Sequence, residues 1–354
     1  ITMVAGRRAK MTRPTRGFPA CHYCGACGSG CDTASFFCSA DHLLPFAMDT
    51  GHLEIRSNAV VARILVDGNG LANGVQYFDR ETGAEREVRG KVVVLGASAV
   101  DSTRILLNSA KGGLGNSSGA LGHYLMDQVS GASVSGFLTK LKGGKPRNDD
   151  GKSSGAFIAN FRNLKERHPK FIRGYCMSMS GGQTSSPSWA LGMKGYGADL
   201  KAKVRNHFPA WARIYMSAGE MLPRFENFVE IDPNKKDAWG IPVLKISCTM
   251  GDNEKAIFAD GTEMMKEIFT AAGGEITNVG QRISVPGGLI HEVGSCRMGK
   301  DPKTSVLDSF CRMHDIKNVY VFGGGPFPTT GSYHPTLTMM ALTVRGCERL
   351  VREA

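Results

Sequence analysis

The stretch Gly324-Gly-Pro-Phe-Pro-Thr-Thr-Gly-Ser-Tyr-His-Pro-Thr-Leu-Thr338 reads as a glycine loop running into a helix. Proline is tolerated at a helix start, because its φ is already helical and the N–H it lacks would have no carbonyl to meet. Pro335 therefore predicts a helix from that residue to Arg352. Its first amides, on Thr336 and Leu337, have no partner behind them, and the positive end of the helix dipole adds to them. Such a helix start holds an anion or a developing negative charge. His334 stands immediately before it. The glycines upstream allow backbone to approach a flat ligand closely.

Working outward, Asn318-Val-Tyr-Val-Phe322 is a predicted strand leading into the turn Gly323-Gly-Gly325. A second histidine lies in His291-Glu-Val-Gly-Ser-Cys-Arg-Met-Gly299. Lys91-Val-Val-Val-Leu-Gly96 is a continuous apolar run ending in glycine, which suits a strand buried on both faces. Val100, Ile105 and Leu106 then recur at helical spacing up to Ser109. Strand, tight turn and helix in that order predict an α/β nucleotide-binding unit. Before it, Leu53–Arg56, Val60–Val66 and Gly74–Phe78 read as strands, and Arg80-Glu-Thr-Gly83 as a turn into a polar strand ending at Val88. Beyond residue 125, alternating runs such as Ala132–Leu138, Ala156–Phe161 and Phe225–Ile231 predict an antiparallel sheet. Asp252–Ala272 is a predicted helix with Ile257, Met264, Met265 and Ile268 on its apolar side, stopped by Gly273-Gly274.

The bulk numbers exclude several classes. The chain has 354 residues, 42% hydrophobic and 21% charged, as an ordinary globular protein does. It contains no apolar run of about 18 residues, so no membrane-spanning helix is expected. The net charge is +11, but the basic residues are scattered. Their densest group, Arg7, Arg8, Lys10, Arg13 and Arg16, has no aromatic residue for base stacking and reads as a solvated basic arm, not a nucleic-acid site. The chain opens on Ile1, and a natural N-terminus further upstream is expected.

Ten cysteines are present, five of them crowded together: Cys21, Cys24, Cys27, Cys31 and Cys38. The spacing Cys21-x2-Cys24-x2-Cys27-x3-Cys31 matches that of bacterial ferredoxin-type iron–sulfur ligands, although Asp32 stands where proline usually follows. Gly25, Gly28 and Gly30 would permit the tight turns that converging thiolates need. Zinc, and plain structural thiols or a disulfide, are the alternatives.

Singly, a histidine before a helix is an ordinary polar cap and three glycines are an ordinary loop. Their joint order is specific. The two histidine segments resemble the C-terminal signature of the glucose–methanol–choline (GMC) flavoprotein oxidoreductases. Residues 53–74 look like that family's adenine-side strand, 92–109 like the second strand–helix unit of its FAD domain, and Gly115–Gly122 like the start of its substrate domain. The resemblance implies an α/β plus α+β fold: a partial FAD-binding Rossmann-like domain with an antiparallel-sheet substrate domain. The expected division is a Cys/Gly-rich segment over 1–50, part of the FAD domain over 51–124, the substrate domain over 125–285 and a return to the FAD domain over 286–354.

The resemblance also implies a chemistry. An alcohol loses its hydroxyl proton to a base and its hydride to flavin N5. The implied catalytic residues are His291 and His334; the positive potential at the helix start predicts that His334 stays neutral as the base, and His291, outside that field, is expected to donate a hydrogen bond to the substrate oxygen. The implied FAD contacts are Val61, Ala97, Gly324, Gly325, Pro335 and Thr336. Residues 220–246 look most like the bacterial sugar-dehydrogenase branch, which implies a sugar or alcohol substrate and an acceptor protein or small subunit. Some dehydrogenase relatives carry an iron–sulfur cluster near the cysteine segment. An oxygen-using oxidase, or a non-catalytic iron–sulfur or zinc protein on a decayed flavin fold, are the rival readings. The family's opening strand–GxGxxG–helix unit is absent from this sequence; Gly113-Leu-Gly115 follows a helix instead.

Overall fold

The computed structural model describes all residues except 7, 25–26, 28–29, 145–154, 182–187 and 354. Arg7, Gly25 and Gly28 thus lie outside the described residues.

The largest element is an antiparallel sheet of seven strands. Its order is Met3–Ala5, Ala156–Ile158, Tyr175–Gly181, Trp211–Glu220, Ser133–Leu138 and Gly274–Gly280, with Gln128–Val129 pairing onto the end of Trp211–Glu220. The helix Asp252–Ala271 covers it. Ile257, Met265 and Phe269 of that helix are fully buried against Val134, Ile214, Met216, Tyr175 and Met177. The predicted apolar stripe is therefore the packing face, and Gly273, at φ 75°, ends the helix. Met3–Ala5 joins the sheet edge by pairing with Ala156–Ile158, so part of the stretch read as irregular is a strand.

A second body holds the α/β pattern. Val93–Leu95 pairs in parallel with Val319–Val321, although more than two hundred positions separate them in the chain. Asn318 locks this junction: its Nδ2 donates to the carbonyls of Ala72 and Lys91, and its Oδ1 accepts from the Ala72 amide. The helix Ser98–Ser109 follows Val93–Leu95 through a tight turn in which Ser98 takes φ 64°. An antiparallel meander of Ala59–Val66, Ala72–Asp79 and Glu85–Arg89 completes the core with Leu95, Leu106, Val319 and Val321.

Two expectations fail here. Leu53–Arg56 is not a strand; Leu53 and Ile55 are exposed, because no neighbouring strand offers them a ladder. Val93–Leu95 is not covered on both faces, since Val94 is 49% exposed. The final helix, Thr336–Glu353, likewise shows Leu337, Val344 and Val351 to solvent. Among the described residues, no helix is long and apolar enough to cross a membrane.

Candidate active site

The site is built on one short antiparallel bridge. Met126 and Val293 exchange both backbone hydrogen bonds at 2.9 Å. Stepping two residues outward on each strand keeps the same face and sets Gln128 opposite His291. Gly294, at φ 90°, is required beside this bridge: a Cβ there would lie 2.2 Å from the Tyr124 carbonyl.

The loop carrying the second histidine is zipped onto the same strand. The amides of Gly294, Cys296 and Met298 donate to the carbonyls of Gly324, Gly325 and Pro326 at 3.0, 3.2 and 2.8 Å. This gives the glycines a structural role within the protein. A Cβ on Gly324 would meet the Glu292 carbonyl at 2.5 Å, and one on Gly325 would meet Val321 and Cys296. Both glycines are buried against the protein itself, so their smallness serves the zipper. Gly323, at φ 87°, has nothing within 4 Å of its Cβ position.

His291 and His334 come together across the 43 positions between them. His334 Nδ1 lies 3.2 Å from His291 Nε2, with the rings edge to face at 4.9 Å. His291 Nδ1 lies 2.8 Å from the Gln128 side-chain oxygen. His291 thus stands between Gln128 on one ring nitrogen and His334 on the other. Burial pushes both histidines below the ordinary value. At His291 the nearby Asp127 and Glu292 charges oppose this, and at His334 the neighbouring His291 and Arg8 reinforce it.

Asp127 was missed in the sequence. It is 1% exposed and holds the His291 loop from below. Its carboxylate accepts from the amides of Gly287, Leu289 and His291 at 2.8, 3.2 and 3.3 Å. Gln128, equally buried, was missed too; both sit in an unremarkable Met-Asp-Gln-Val run whose meaning depends on the bridge to Val293.

The helix after His334 starts at Thr336, one residue later than expected, and the Pro335 carbonyl accepts its first bond, from Met339 at 3.0 Å. Pro335 is buried and Thr336 exposed. Val61 and Ala97 line one open cleft of about 500 Å³ with Val60, Val75, Gly96 and Arg104.

Cys21, Cys24, Cys27 and Cys31 all line one small recess, together with Lys10, Ser35 and Phe36. The Cys31 thiol is lowered to about 7 by hydrogen bonds from Ser35 and Thr33. Among the described residues, the three potential metal-ligand atoms within 4.8 Å of one another belong to His22, Cys24 and Asp32, not to three cysteines. That arrangement does not match four thiolates around a single zinc ion, whose ligands must crowd one centre.

Comparison with known proteins agrees with this layout. Two models described as GMC oxidoreductase match residues 2–130 and 223–343. The chain is similar to 2-methyl-1,2-propanediol dehydrogenase of Mycolicibacterium austroafricanum, at 32% identity over 97% of this chain and 62% of the relative. It is similar to the fructose dehydrogenase large subunit of Gluconobacter japonicus, at 26% identity over 98% of this chain and 62% of the relative. In structure it resembles pyridoxine 4-oxidase from Mesorbium loti, with TM-score 0.57 at 17% identity, covering 90% of this chain and 62% of that one. The chain thus spans about three fifths of the length of these relatives. The family models take in both the bridge residues Met126 to Gln128 and the two histidine segments, and the chain belongs to the GMC oxidoreductase family.

Proposed function

We propose that this chain carries the proton-accepting site and much of the cofactor surface of an FAD-dependent dehydrogenase, acting on a sugar or other secondary alcohol. The observation that carries the reading is the His291–His334 contact at a helix start, with one imidazole nitrogen of His334 unpartnered among the described residues. A neutral imidazole held there takes the hydroxyl proton. FAD, when bound, supplies the hydride acceptor.

The residues suit such a group. Val61 and Ala97 line one open cleft that also presents Asp101 and Arg104; Val61 is assigned to the adenine side and Ala97 to the pyrophosphate side. Gly324, Gly325, Pro335 and Thr336 are assigned to the flavin side; the exposed Thr336 start supplies unpaired amides for the developing negative charge near flavin N1 and O2. Reduction of an acceptor other than oxygen is supported by the dehydrogenase names of the two relatives described above, whereas the structural neighbour is named an oxidase. A small subunit or acceptor protein as partner is supported by the name of the fructose dehydrogenase large subunit. An iron–sulfur centre on Cys21, Cys24, Cys27 and Cys31 is the further cofactor reading, and it rests on their ferredoxin-type spacing.

One experiment tests these readings together: the visible spectrum of the protein expressed from its complete gene, followed by anaerobic addition of a panel of sugars and secondary alcohols. Flavin bands that bleach with a panel member, and recover faster with a dye acceptor than with oxygen, are expected. Faster recovery with oxygen would make it an oxidase. A spectrum without flavin bands would end the enzyme reading, and anaerobic protein without iron would end the cluster reading.

A further inference from the structure

We propose that Glu220 is a substrate-recognition residue, whose free carboxylate oxygen accepts a hydrogen bond from a hydroxyl beside the reacting carbon of a neutral polyol. The proposal rests on the histidine pair marking the substrate site, but its test reads binding apart from turnover.

Strand pairing places the carboxylate. The strand Trp211–Glu220 ends against Gln128–Val129, with Glu220 directly opposite Gln128. Opposed residues of an antiparallel pair project from the same face, their Cβ atoms about 5 Å apart. On that face Gln128 Oε1 lies 2.8 Å from His291 Nδ1, and its Nε2 donates to the carbonyls of Gly331 and Tyr333 at 2.9 and 2.8 Å. Glu220 grips the same loop just before them: its Oε1 accepts from the Thr329 hydroxyl at 3.2 Å. Both side chains thus stand against the loop that carries His334.

Hydrogen-bond accounting leaves one oxygen over. Arg173 Nε lies 3.5 Å from the same Oε1. Oε2 accepts from none of the described residues, although Glu220 is only 8% exposed. It is not sealed in either, because Arg297 Nε is the one fully covered side-chain polar atom without a partner among the described residues. Oε2 therefore opens to solvent beside the histidine loop. A carboxylate oxygen only accepts, so a ligand there must bring a donor. A hydroxyl bonded to a carboxylate makes a short bond, roughly twice as strong as one between neutral groups. Next to it the Tyr333 ring is 46% exposed and stands edge to face with Phe157 at 4.8 Å and with His334 at 5.0 Å. An open aromatic ring beside a lone acceptor suits a ligand with C–H on its faces and hydroxyls on its edge. A monohydric alcohol spends its hydroxyl at the histidines and leaves Oε2 bare; a polyol has one for each. Charge removes the ionic alternatives. An ammonium at Oε2 would also meet Arg173, and Arg8 acts from the histidine side. A carboxylate there would face Glu220 itself.

The test is saturation-transfer NMR on the complete, flavin-loaded protein, titrated with D-glucose, D-fructose, myo-inositol, D-glucosamine, D-gluconate and cyclohexanol. At least one neutral polyol should bind about tenfold or more tightly than cyclohexanol, the size of one charge-assisted hydrogen bond. Glu220→Ala should erase that advantage and leave cyclohexanol binding and the flavin spectrum as they were. Glu220→Gln keeps an acceptor for Thr329 but offers the ligand only a neutral group, and should weaken the polyol by about threefold or more. A merely structural Glu220 would instead move polyol and cyclohexanol together. Polyol binding unchanged in Glu220→Ala overturns the proposal, as does a panel of which no neutral polyol binds. Tightest binding of D-glucosamine, lost in Glu220→Gln, would make this an ammonium site, and tightest binding of D-gluconate would hand recognition to the arginines; either overturns it. If Glu220→Ala does not fold, Glu220→Gln decides. Polyol binding as stated, with no bound polyol ever bleaching the flavin, would sink the enzyme reading alone.

Discussion

Replacing His334 by Ala is expected to slow flavin reduction by roughly a hundredfold or more, the usual size of a lost general base. Rates would be followed by anaerobic stopped-flow absorbance at saturating substrate. The effect should fall on the reduction step itself, because His334 Nε2 is the unpartnered nitrogen of the pair and stands at a helix start. His291→Asn should cost less. An asparagine amide offers an N–H to Gln128 and an oxygen to His334 Nδ1, so it can pass the hydrogen-bond order along without an imidazole. A His291→Asn enzyme far slower than His334→Ala would show the roles to be reversed.

Asp127→Ala should be the most destabilising single change near the site. The carboxylate is buried and accepts three backbone amides of the 287–291 segment. Removing it leaves those amides unpaired beneath His291, at a cost of about 3 kcal/mol or more. Urea denaturation monitored by circular dichroism would read it. Asp127→Asn preserves the shape but turns an NH2 toward an N–H, so it should recover only part of the loss. Flavin reduction should also fall, by about a hundredfold, because a shift of the His291 ring of even 1 Å breaks both its hydrogen bonds. An Asp127→Ala protein as stable as wild type would mean that the loop is held by other contacts.

The parts of this protein that could be read from sequence are those whose meaning is local. The helix Asp252–Ala271 announces its buried face by spacing, and the loop–histidine–proline segment announces a helix start within one residue of where it lies. Gln128 and Asp127 could not be read that way, because they become part of the site only through the antiparallel pairing of Met126 with Val293. Gly324 and Gly325 show a related limit. Their need for a missing Cβ was evident, but what they approach is the Glu292 and Cys296 segment. Leu53–Arg56 has the composition of a strand and no partner to pair with, and Val94 has the apolar run of a doubly covered strand with one face open. Pairing and coverage are long-range facts, and composition does not contain them.

The central claim, that a neutral histidine of this pair takes the substrate proton, is tested most directly by the pH dependence of flavin reduction under anaerobic stopped-flow. Both histidines are held below the ordinary value of 6.5, chiefly by burial. Their neutral forms are therefore favoured in the fold, and both the active form and this contribution to stability are present above 6.5 and lost as pH falls through the lowered values. The account predicts a rate that is flat near neutrality and declines only below pH 6.5, with that acid limb removed in His334→Ala. A limb centred above 6.5, or one that persists unchanged without His334, would contradict it.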